Sequence, residues 1–114
     1  MLKPLKWLGN SLEVVRDEFP DQVSRNVGYA LHYAQAGDKH PNAKPLKGFG
    51  GAGVLEVVEN HDGDTYRAVY TVKISGVVVV LHAFQKKSRM KIATPKKELD
   101  LIKARLKEAQ LLYR

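Results

Sequence analysis

The stretch VLEVVENHDGDTYRAVYTVKISGVVVVLHAF, residues Val54–Phe84, decides the fold. Within it Tyr66, Ala68, Tyr70, Val72 and Ile74 fall on one side of an extended chain, and Arg67, Val69, Thr71 and Lys73 on the other. That is the period of two of a β-strand. Val54–Glu59 reads as one strand, Thr65–Ile74 as a second and Val77–Phe84 as a third. His61-Asp62-Gly63-Asp64 supplies a hairpin turn with an Asp-Gly core, and Ser75-Gly76 supplies another. Strands joined this tightly form an antiparallel meander. Val77–Leu81 is continuously apolar, which predicts a strand buried on both faces.

Before the meander, Lys3–Trp7 reads as a short edge strand, where Pro4 limits pairing. Asn10 and Glu13 have capping-box spacing, followed by Leu12, Val15 and Phe19 on one helical face. Pro20 ends that helix and opens the next at its first position. There Val23, Val27, Ala30, Leu31 and Ala34 form an apolar stripe, and Gly37 stops it. Asp38–Gly53 reads as a loop. After the meander, Pro95 starts a last helix with Leu99, Ile102, Leu106 and Ala109 inward. The order β-α-α-β-β-β-α predicts an α+β fold in one domain over residues 1–114, with a small antiparallel sheet and its helices packed against one side.

A chain of 114 residues is long enough to bury a core alone. It has no cysteine, which excludes a disulfide framework, a thiolate metal site and a cysteine nucleophile. It contains no apolar run of about 18–20 residues and no signal-peptide core, so a cytoplasmic protein without membrane contact is expected.

The net charge of +7 is concentrated late in the chain. Residues 1–84 carry nine Lys/Arg and nine Asp/Glu, whereas residues 85–114 carry ten and three. In HAFQKKSRMKIATPKK, His82–Lys97, a histidine, a phenylalanine and six Lys/Arg follow directly on the apolar strand. Ammonium groups are too costly to bury unpaired, so this segment is expected at the surface. A one-sign patch attracts polyanions through long-range forces and counterion release. Nucleic acid and an acidic protein partner both fit that charge; a solvated helix face is the bland alternative.

The glycine-rich run Lys47–Gly53 lacks the Gly-Lys-Ser/Thr of a phosphate-binding P-loop and precedes a strand, not a helix. It reads as a turn that leaves Lys44 and Lys47 leaning over the sheet. The four histidines, His32, His40, His61 and His82, show no metal-ligand spacing, and no metal or other cofactor is expected. His32 reads as structural and His61 as solvated. His82 and Arg67 stand out, because each sits where an apolar residue packs better. His82 reads either as a satisfied core histidine or as a site residue. Arg67 reads either as an exposed cross-strand partner of Glu56 or as a phosphate ligand. On neighbouring strands, both can share a face with Phe84 and point toward Lys86 and Lys87. Cations, an imidazole and an aromatic ring suit RNA cleavage by the RNA's own 2′-hydroxyl, which needs a base, an acid and charge stabilisation of the phosphorane. An aromatic side chain can also stack on a splayed base.

The runs KPLKGFGGAGVLEV (Lys44–Val57), TYRAVYTV (Thr65–Val72), VLHAFQKKS (Val80–Ser88) and TPKKELDLIKARLKE (Thr94–Glu108) resemble the RelE/ParE toxin superfamily, most closely its phage-derived HigB-like branch. The resemblance covers nearly the whole chain. It implies a type II toxin, a metal-independent endoribonuclease that cuts mRNA in the ribosome. Its implied partners are mRNA, the ribosome and a cognate antitoxin of helix-turn-helix type. It implies Lys47, Arg67, His82 and Lys87 as catalytic residues, and Lys44, Phe84, Lys86, Arg89 and Lys91 as RNA contacts. The late tyrosine of RelE-type members has no clear counterpart, since Tyr113 follows the last helix. ParE members share the fold but act on gyrase, so a gyrase-directed toxin and a non-catalytic basic RNA-binding domain stay open.

Overall fold

The computed structural model describes residues 1–51, 53–86 and 94–113. Its elements run β1 (Leu5–Trp7), α1 (Ser11–Glu13) continuing into a π-helical turn (Val14–Glu18), α2 (Asp21–Gln35), β2 (Ala43–Pro45), β3 (Val54–His61), β4 (Asp64–Thr71), β5 (Val78–Lys86) and α3 (Lys96–Leu112). The five strands form one sheet in the order β1-β5-β4-β3-β2. β3, β4 and β5 make the expected meander, and β1 pairs parallel to β5 along one edge. The α+β architecture follows the predicted order, with one additional strand.

The meander forms for the reasons its sequence suggests. Asp62 and Gly63 both adopt positive φ, 49° and 85°, which a tight two-residue hairpin of this hand requires. β4 alternates Tyr66, Ala68 and Tyr70 toward one face against Arg67 and Val69 toward the other. β5 has one irregularity. Tyr70 pairs with Val80 and Val69 with His82, so Leu81 is an extra residue, a β-bulge. The bulge lets Leu81 and His82, adjacent in sequence, both point to the same face.

Both faces are covered, which corrects the expectation that the helices share one side. The π-helical turn and α2 pack on the first face through Val15, Phe19, Val27 and Leu31 against Val57, Tyr66, Ala68 and Tyr70. α3 packs on the second through Ile102 and Ala109 against Val69, Val79 and Leu81. A strand apolar on both sides, as Val78–Leu81 is, has to be covered on both sides. The buried residues of α2 are the five of the predicted stripe.

Other local expectations shift. Asn10 makes no side-chain cap; instead the Ser11 hydroxyl donates to the Leu8 carbonyl at 2.7 Å. The Phe19 amide donates to the Val14 carbonyl, five residues back, so the first helix widens. That widening buries Val14 beside Val15 and Phe19 and leaves Leu12 exposed. Pro20 takes the N-cap of α2, one place before its first turn. His32 lies on the exposed side of α2 and is not a core residue. β2 lies within the expected loop, and its Pro45 is tolerated because β2 is the far edge of the sheet. No described helix is long and apolar enough to cross a membrane.

Tyr70 is fully buried, and among the described residues its hydroxyl has no hydrogen-bond partner. Burial pushes its phenol up to about 12. A buried hydroxyl without a partner carries its desolvation cost uncompensated. Tyr70→Phe should therefore leave stability unchanged or raise it by about 1 kcal/mol in urea unfolding. A loss of that size would reveal a hydrogen bond the fold depends on.

Candidate functional site

The second face of the sheet collects most of the described candidate residues. Lys44 pairs with Glu56, Glu56 with Val69 and Val69 with His82, which makes one row across four strands. Val58, Arg67 and Phe84 make the next row, and Thr65 with Lys86 the one after. Residues two apart on a strand share a face, so Lys44, Glu56, Arg67, His82, Phe84 and Lys86 all project from this one. Lys44 and Lys47 are exposed, and Lys86 is half-buried. Lys87, Arg89 and Lys91 lie outside the described residues.

Arg67 is only 1% exposed, and its Nη1 donates to Glu56 Oε2 at 2.9 Å. The partner is the expected Glu56, reached diagonally because Val58 stands opposite Arg67, but the pair is buried and not at the surface. The Thr94 hydroxyl also donates to that oxygen, at 3.4 Å. Glu56 therefore holds Arg67 inside the protein. Removing one member of a buried pair strands a charge, whereas replacing both with apolar groups costs little.

His82 and Phe84 are buried as well, at 6% and 8% exposure. This corrects the expectation that residues from His82 onward lie on the surface. The strand continues to Lys86, and α3 folds back to cover its first half. Glu98 and Arg105 of α3 reach the imidazole from opposite sides. His82 Nε2 lies 2.7 Å from Glu98 Oε1, and Nδ1 lies 3.2 Å from Arg105 Nη1. The same Arg105 nitrogen donates to the Leu81 carbonyl at 2.9 Å, in the bulge. Phe84 stacks on the imidazole, with ring centroids 5.1 Å apart and planes 21° apart. Both nitrogens of His82 are thus engaged inside the protein, which leaves neither facing a substrate.

Glu98 and Arg105 were absent from the expected site. The signal for them was present, because they share a helical stripe with Ile102 and Ala109 at spacings of four and three. A charge on the buried stripe of a helix needs a partner across the interface. Tyr113 caps the end of α3 and packs on the apolar cluster beneath it. Among the described residues no group of three His, Asp or Glu is arranged to hold a metal.

The basic sheet face lies within a recognisable sequence family. Residues 16–107 match the model of the family described as Phage derived protein Gp49-like (DUF891). The chain belongs to this family. It is a toxin-like family related to RelE and HigB, and it suggests an antitoxin as partner. No individual curated protein matches the chain.

Arg67→Ala should destabilise by about 3–5 kcal/mol in urea unfolding, and the double variant Arg67→Met/Glu56→Leu should recover most of the loss. A single variant as stable as the parent would place Arg67 outside the core. Burial pushes the His82 imidazole below its ordinary range, with help from the Arg105 charge and opposition from Glu98. The unfolded chain therefore binds a proton at this residue more readily than the folded one. Its contribution is fully present above the ordinary histidine value, falls as pH drops below it, and levels off below the folded value. The parent should lose stability from about pH 7 toward pH 5 relative to His82→Gln. Parallel stability profiles for the two would contradict this.

Proposed function

We propose that this chain is the toxin of a type II toxin–antitoxin pair, of the HigB-like branch, and that it cuts mRNA in the ribosome without a metal. The observation that carries this reading is the sheet face on which Lys44, Arg67, Phe84 and Lys86 stand in adjacent rows of a toxin-like chain. Lys44 and Lys47, exposed at its edge, meet the RNA phosphates first. They attract the backbone and offset charge on the phosphorane formed when the 2′-hydroxyl attacks. Lys86 extends the same contact at the strand end, and Lys87, Arg89 and Lys91, next in the sequence, are further RNA contacts in this reading. Phe84, buried in the structure, becomes the wall against which a splayed base stacks once its cover opens. Arg67 reaches the phosphate only once its ion pair with Glu56 opens, where a phosphate competes for the guanidinium. His82 serves this site from behind Phe84, since its nitrogens face Glu98 and Arg105. The partners are a cognate antitoxin of helix-turn-helix type, mRNA and the ribosome, in the cytoplasm.

One observation favours a second reading. Arg67 and His82 are both paired internally, which suits a toxin that binds its target without chemistry, such as a gyrase-directed one.

The exposed lysines give the cleaner test. Lys44→Ala/Lys47→Ala should leave folding within about 0.5 kcal/mol of the parent, because surface substitutions cost little. It should also relieve growth arrest on induction without antitoxin. Full toxicity of this variant at equal abundance would remove the lysine edge from the site. Inhibited supercoiling with intact mRNA would favour the gyrase reading.

A further inference from the structure

Arginine is only a hydrogen-bond donor, so the His82 nitrogen facing it has to accept. Arg105 Nη1 carries two hydrogens. One goes to the Leu81 carbonyl and the other to His82 Nδ1. The ring proton of neutral His82 then sits on Nε2 and is donated to Glu98 Oε1. Glu98 and Arg105 therefore select one tautomer and one ring orientation between them. The guanidinium is held in turn. It lies against the backbone of Gly9, whose φ is +56° and where a Cβ would run into Arg105. Phe84 stacks on the fixed imidazole and is opposite Arg67 in the sheet register.

We infer that Glu98 and Arg105 are positioning residues that act through His82, fixing the imidazole so that Phe84 stands as a rigid wall beside Arg67. Neither touches the RNA. The chain of contact runs from Gly9 through Arg105 to His82, with Glu98 closing it from the first turn of α3, and ends at the Phe84 ring. This inference rests on the proposed function in one respect, the reading of Phe84 as a wall for a base; the fixed tautomer stands without it. A misplaced wall slows the chemical step more than it weakens binding, because reaction depends on alignment.

The test uses the full chain with nitrogen-15-labelled histidine, alongside cleavage of an mRNA programmed on purified ribosomes. His82 should show the proton on Nε2 and an accepting Nδ1. Glu98→Ala should weaken that signature and lower the rate, and Glu98→Gln, which keeps an accepting oxygen, should restore both; a Glu98→Ala variant with the parent's signature and rate would remove Glu98 from the positioning role. Arg105→Ala should mix the tautomers and lower kcat on the order of tenfold or more, with KM within about twofold. A proton on Nδ1 in the parent, or an unchanged tautomer and rate in Arg105→Ala, would overturn the inference. If the parent leaves the mRNA intact, the proposed function fails. The tautomer in the parent and in Arg105→Ala then decides the positioning role alone.

Discussion

The structure turns on how α3 is held to the sheet. One extra residue in β5 places Leu81 and His82 on the same face and frees the Leu81 carbonyl. Arg105 takes that carbonyl and the imidazole together, and Glu98 takes the other side of the ring. Ile102, between them on the same stripe, is fully buried. The polar contacts and the apolar ones thus fix the same helix at the same strand. Polar groups in such a place stabilise only when each is satisfied, and here each has a partner.

This docking divides the basic face in two. The part under α3 carries Leu81 and His82, both buried, and His82 is paired with Glu98 and Arg105 of the helix. The part toward β2 carries Lys44 and, beyond it, Lys47, and is open. Arg67 lies between them, buried under its bond to Glu56. The exposed cations and the groups that hold geometry are therefore on different residues. The lysines can be changed at little cost to the fold, whereas removing Arg67 alone or Glu56 alone strands a buried charge.

Much of the fold was legible because alternation and stripe are strong signals when the core enforces them. The meander, the stripe of α2 and the inner residues of α3 all follow from which side must be dry. What was not legible depends on single residues. The bulge at Leu81 leaves no mark in an apolar run, where every register looks alike. The π-helical turn shifts burial from Leu12 to Val14 for want of one hydrogen bond in the usual place. β2 is three residues long and contains a proline. The shared face was readable: Arg67, His82 and Phe84 do lie on one side of the sheet. Burial was one of the two readings of His82, but the burial of Arg67 and Phe84 was not legible, because an arginine and a phenylalanine beside lysines read as surface until the rest of the fold covers them. Glu56 was visible as the cross-strand neighbour of Arg67, but only the fold makes the pair internal.

The central claim is that this face serves to cut mRNA. Mapping of transcript 5′ ends after induction of the chain without an antitoxin tests it most directly. The account predicts new ends within translated coding regions that disappear when the messages are kept off ribosomes. Growth arrest with intact transcripts would contradict it.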